Sequence, residues 1–161
     1  MRLTPFMLAL LALPMAVAGT PAGAQSAEDQ PTYKQFGSLG GFGDGFKQKQ
    51  LKDGWQVTAI VRASKPPASA AAMALYRAAE LAESSSFKNV RIVSFKEKAL
   101  ENYAAGMMFT SGYTAKIVFT ATNDSDPTSH CTAKVSASCV TYDAAAAMAE
   151  LGPSLKFDKG N

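Results

Sequence analysis

Cys131 and Cys139 are the only cysteines in the chain, and His130, its only histidine, stands directly before the first of them. A Cys-His pair can make a thiolate nucleophile, but neighbours along a strand point to opposite faces, so adjacency argues against the hydrogen bond such a dyad needs. One histidine and two cysteines also fall short of a zinc ligand set. In an oxidising compartment an even count favours a disulfide. Along one continuous strand, eight steps of ~3.3 Å would hold the Cα atoms ~26 Å apart, whereas a disulfide tolerates ~7 Å. Either the strand is broken around Ser136-Ala137-Ser138, letting the chain double back so that the bridge forms, or the cysteines stay apart; the bridge is the expected outcome. The expectation is a short-loop staple worth ~2–3 kcal/mol rather than a reactive centre.

The other chemistry-bearing clusters are weaker. Asp124 and Asp126 could touch a calcium ion, but the turn lacks the glycine and distal glutamate of a calcium loop and reads as solvated. Gly40-Gly41-Phe42-Gly43-Asp44-Gly45 has the wrong spacing and no preceding strand for a dinucleotide fingerprint. Glu80 and Glu83 sit three apart and could pair as acid and base, yet a solvated helix face with Arg77 and Glu80 as a surface ion pair is the simpler reading. Neither a nucleophile–base pair, a metal site nor a phosphate loop emerges. No catalytic residue, metal or cofactor is expected, and the enzyme question leans to no.

At the N-terminus, Arg2, the apolar run Phe6–Val17 interrupted by Pro14, and Ala22-Gly23-Ala24 have the order of a secretory signal peptide over residues 1–24, with cleavage expected after Ala24. The run is shorter than the ~20 apolar residues of a spanning helix. A periplasmic or secreted location without a membrane span follows, and no cysteine lies nearby to accept a lipid. The full chain has 161 residues and net charge +3. Loss of Arg2 with the leader would leave +2, and the lysines are scattered along the sequence, which gives no case for nucleic acid.

Residues 25–46 are Gly-rich and poor in aliphatics and read as a flexible Gly/aromatic leader; residues 47–161 form one domain. Trp55, Val57, Ala59, Val61 and Ala63 alternate with Gln56, Thr58 and Arg62 as in a half-buried strand. After Pro66-Pro67, a helix over 69–84 is predicted with Ser69 as its cap and Ala72, Leu75, Tyr76, Ala79 and Ala82 on the inner face. Val90–Phe95 is a second strand, 96–111 a loop or short helix, and 113–121 a third strand. Turn chemistry at Asn123–Thr128 predicts a hairpin with a strand near Cys131. The last helix spans Asp143–Leu151, stopped by Gly152-Pro153. The whole describes an α+β two-layer sandwich, an antiparallel-rich sheet with helices on one face.

Several of these segments also carry a family resemblance. Gly41-Phe42-Gly43-Asp44, Gly54-Trp55-Gln56-Val57, Leu75-Tyr76-Arg77-Ala78-Ala79-Glu80-Leu81, Tyr142-Asp143-Ala144 and Leu151-Gly152-Pro153 together resemble small proteobacterial cell-envelope proteins, often lipoproteins, of unknown function. Their hallmark is an L-x-R-A-A-E-L helix. This chain lacks their lipobox cysteine and has Ile60-Val61-Arg62-Ala63 where Phe-x-Gly-Asn is expected. The resemblance implies an envelope location and carries over no catalytic residue. Read from its residues, a partner-binding surface would dock another envelope protein through Arg62, Arg77 and Glu80 with the leader aromatics Phe42 and Phe46. The expected class is a non-catalytic binding or structural module; the alternative is a small hydrolase or small-ligand-binding protein. Oligomeric state is not legible.

Overall fold

The computed structural model describes residues 29–36, 43–125 and 140–158. The leader peptide, Phe42, His130, Cys131 and Cys139 lie outside them, as does the strand expected near Cys131. The elements in chain order are β1 (Thr32–Tyr33), β2 (Gly45–Leu51), β3 (Gly54–Arg62), α1 (Ala68–Ser84), β4 (Asn89–Ala104), β5 (Met107–Thr122), β6 (Thr141–Asp143), α2 (Ala144–Leu151) and β7 (Lys156–Phe157). Strands β2-β3-β5-β4-β6 make one antiparallel sheet, and β1 pairs in parallel with β7 beside it. The architecture is the expected α+β sheet with its helices on one face.

Alternation decides which face is covered. Val57, Ala59 and Val61 of β3 lie opposite Ile117, Ala115 and Tyr113 of β5, and the first five of these six are buried at 2% exposure or less. Onto them α1 lays Ala70, Ala74, Ala78 and Ala82, all fully buried. These four recur at i+4, so they form a single ridge with almost no side-chain height, and the helix axis can approach the sheet closely. Met73 and Leu81 fill the flanks. Of the expected inner stripe, Ala79 and Ala82 are fully buried, while Ala72, Leu75 and Tyr76 are only partly buried, so the buried face is rotated from the expected one. Ser69 does not cap the helix. The cap position is Pro67, without a side-chain bond, and its fixed φ begins the first turn. At α2 a side-chain cap does form, the Asp143 carboxylate accepting from Ala146 N at 2.8 Å.

Two segments depart from expectation. Residues 96–111, read as loop or short helix, are strand: β4 and β5 are 16 residues each, joined by a two-residue turn at Ala105-Gly106. Both turn residues have positive φ, +52° and +80°, which is the twist a tight hairpin requires. Helix formers at Lys96–Glu101 were overridden by the cross-strand ladder. The leader is also structured where described. Besides β1, Gln35 bridges to Phe46, Phe36 N donates to Phe46 O at 2.7 Å, and Phe46 is 3% exposed in the core.

The β2–β3 turn closes on Gly54, whose φ is +149° and whose absent Cβ would stand 2.2 Å from Phe119 O on the neighbouring strand. Gly54→Ala is expected to cost about 2–4 kcal/mol through backbone strain and strand separation, read as a fall in the urea midpoint.

Candidate binding surface

The residues expected to form an exposed partner surface are distributed differently. Phe46 is buried and cannot serve as an anchor. Arg77 and Glu80, expected on a solvated helix face, are about three-quarters covered, with side-chain exposures of 23% and 28%. Arg77 Nε donates to Gln48 Oε1 at 2.7 Å, its Nη1 donates to Glu80 Oε2 at 2.7 Å, and its guanidinium lies 5.1 Å from the centre of the Phe46 ring. The Tyr33 hydroxyl donates to the same Glu80 carboxylate. Tyr33 also packs against Phe46, Tyr76 and Phe157 at centroid distances of 4.8, 5.0 and 5.2 Å. Burial, with the Glu80 bond, pushes the Tyr33 hydroxyl well above the usual phenol range. This cluster ties the leader and β7 to α1 and β2; it is a clasp, not an open surface.

Arg62 stands apart, at the end of β3. Its backbone N donates to Asp44 Oδ1 at 2.9 Å and its Nε lies 3.4 Å from the same oxygen, while Thr32 N donates to Asp44 Oδ2 at 3.3 Å. Burial alone would raise the Asp44 pKa, but these donors hold the carboxyl below its usual value. Asp44 therefore fastens the leader to the end of β3.

What the structure brings together was not expected. The rows across the sheet run Lys49–Gln56–Val118–Ser94, then Lys47–Thr58–Lys116–Lys96, then Gly45–Ile60–Thr114–Lys98. Because Phe46, Val57, Ala59, Ala115 and Ile117 face α1, these rows face the opposite side. Lys47, Lys49, Lys96, Lys98 and Lys116 are all exposed there. None of the five is paired with a carboxylate among the described residues. Lys96 and Lys116 are direct cross-strand partners, an arrangement in which like charges oppose folding. Lysines scattered in the sequence are thus gathered on one helix-free face. The only trace in the sequence is the i,i+2 spacing of Lys47/Lys49 and Lys96/Lys98.

A second concavity lies on the helix side, a groove of about 340 Å³ between Ala71, Ala72 and Leu75 of α1, Phe95 of β4 and Tyr142 of β6. Its lining is apolar apart from the Tyr142 hydroxyl, with no acid–base pair. Among the described residues there is no cluster of three or more metal-ligating side chains, no buried side-chain polar atom without a partner, and no helix long and apolar enough to cross a membrane. The chain matches no protein-family model, no curated protein and no solved structure.

Two outcomes test these electrostatics. Asp44 has a lowered folded pKa, so its contribution is complete above the unfolded value of about 3.9 and is lost as pH falls through the folded value. Asp44→Asn is expected to be less stable at pH 7 and to lose less stability than the parent on acidification from pH 5 to pH 2, followed by thermal melts. Lys116→Glu replaces a repulsive pair with an attractive one and is expected to raise stability by about 0.2–1 kcal/mol at low salt, measured by urea unfolding.

Proposed function

We propose that the protein is an exported, non-catalytic binding module of the cell envelope that holds an anionic component against the helix-free face of its sheet. The observation that carries this reading is the set of five exposed lysines without a facing carboxylate, with Lys96 and Lys116 held directly opposite one another. A purely structural sheet has no reason to keep that pair, since any polar or acidic residue at either position would remove the repulsion. An anionic partner turns the same pair into an attractive site. Order of residues 1–24 and the envelope-family resemblance support export; the clasped leader leaves the sheet rather than the aromatics as the docking element.

The alternative, a small-ligand-binding protein, draws its support from the apolar groove beside α1, whose volume falls at the low end of small-molecule sites. The groove has no convergent polar groups to fix a ligand's orientation, and the basic face remains the stronger feature.

Retention on a sulfated-polysaccharide matrix tests the proposal. The chain is expected to bind at low salt and to elute steeply as ionic strength rises, since contacts at an exposed face are screened beyond about 8 Å at 0.15 M. Lys96→Gln with Lys116→Gln should elute at clearly lower salt, while Lys88→Gln, in the loop before β4, should elute with the parent. Equal elution of all three would overturn the assignment of this face.

A further inference from the structure

The β4–β5 hairpin outruns the sheet. Strand β3 accompanies β5 only as far as Gly112, opposite Arg62, and the pairs Glu101–Thr110, Asn102–Phe109, Tyr103–Met108 and Ala104–Met107 continue as a two-stranded ribbon. At the start of the ribbon a bulge leaves Ser111 as the extra residue of β5, its hydroxyl donating to Leu100 O at 3.0 Å. Beyond it Tyr103, Met107, Met108 and Phe109 are 75%, 69%, 68% and 47% exposed. Nothing in the described fold rests on them, yet a solvated hairpin tip is normally polar.

The alternation of β4 fixes where they point relative to the lysines. Pairing along β4 advances one residue at a time from Ser94 to Ala104, so Lys96, Lys98, Leu100, Asn102 and Ala104 share a side. Phe109 and Met107, opposite Asn102 and Ala104, stand on that same side. Tyr103 and Met108 occupy the other side of the ribbon. The basic face therefore continues through Leu100 and Asn102 into the tip, and the tip from Tyr103 to Phe109 carries apolar side chains on both sides.

We infer that the anionic partner is the surface of an anionic phospholipid bilayer, with the lysines of the open face against the headgroups and the Tyr103–Phe109 tip entering the interface between headgroups and acyl chains. The inference rests on the basic-face reading above. Charge complementarity selects an anionic surface, and the tip selects among anionic surfaces. A soluble polyanion offers nothing apolar, whereas a lipid surface met obliquely takes the apolar tip into its interface while the lysines of the open face lie over the headgroups. The depth is self-limiting. Three residues per strand reach about 10 Å, comparable to the 5–10 Å occupied by interfacial segments. The outer edges of a two-stranded ribbon keep unpaired backbone groups that the hydrocarbon core would leave unsatisfied. Glu101 marks the end that stays in water, and Tyr103 suits the boundary with its apolar ring and polar tip.

The test is co-sedimentation of the chain, purified in the form in which it accumulates in cells, with vesicles of phosphatidylglycerol and phosphatidylcholine, and with vesicles of phosphatidylcholine alone. Binding is expected only to the former. Lys96→Gln, Lys98→Gln and Lys116→Gln together should weaken it about a hundredfold, near fivefold per lysine. Tyr103→Ser, Met107→Ser, Met108→Ser and Phe109→Ser together should weaken it at least about tenfold, with an unchanged urea midpoint and undiminished retention on the sulfated matrix. Retention on that matrix without vesicle binding, or vesicle binding that the tip variant does not weaken, overturns the bilayer inference and leaves the anionic-face reading standing. Failure to bind either support overturns both.

Discussion

The packing of an alanine ridge on a sheet is the constraint on which the rest of this molecule depends. Ala70, Ala74, Ala78 and Ala82 are fully buried against β3 and β5, whose facing residues Val57, Ala59, Val61, Ala115 and Ile117 are equally closed off. A ridge of methyl groups gives little area per residue, so its contribution comes from close approach and dispersion along the whole helix rather than from a few large side chains. Enlarging any of the four would lift α1 from the sheet along its length. Because the apolar side chains of β3 and β5 that alternate inward are spent on the helix side of the sheet, the alternate positions of the same strands are released from packing against α1. The sheet is therefore two surfaces with separate rules: one fixed by shape, the other free to carry charge.

That separation explains what could be read from the sequence. The alternation from Trp55 to Arg62 and from Tyr113 to Ala121 is visible because one face of each strand is buried, and the α+β class follows from it. The helix was equally plain in extent but not in rotation. With alanine at so many positions of α1, the pattern does not distinguish a stripe through Leu75 and Tyr76 from one through Ala74 and Ala78. The sheet chose the smaller ridge, leaving Leu75 to the rim of a groove. Strand β4 beyond Phe95 was hidden for the opposite reason: Lys96, Glu97, Lys98, Ala99, Leu100 and Glu101 are helix formers, and only their ladder to β5 holds them extended. The basic face was hidden with them, since Lys116 and Lys96 become neighbours only once that register exists.

The described parts of the leader, residues 29–36 and 43–46, show how few contacts hold a polar segment when they are well placed. Asp44 answers two backbone donors, one on each side of the chain junction it closes, and Tyr33 meets three aromatic rings and a carboxylate. Composition alone describes residues 25–46 as too polar to recover their ordering entropy. Composition does not register that Phe46 is a core residue, nor that Arg77 and Glu80, an ordinary i,i+3 surface pair by spacing, are covered by the Tyr33 ring and Gln48. Of the residues that look most like a docking site in the sequence, Phe46, Arg77 and Glu80 are consumed in holding the fold.

The features left over carry costs that folding does not require. Lys96 opposite Lys116 is repulsive, Ala105 sits at φ +52° where glycine or asparagine is at ease, and four large apolar side chains stand in water at the hairpin tip. Each is a local conflict in a chain whose core is otherwise consistent, and such conflicts concentrate where a surface serves something other than stability. All three lie on the β4–β5 hairpin and its immediate neighbours, remote from the Tyr33 clasp. A partner that is anionic where the lysines are and apolar where the tip is would relieve the first and the third together. The turn strain would persist, as the geometric cost of projecting a ribbon that narrow beyond the sheet.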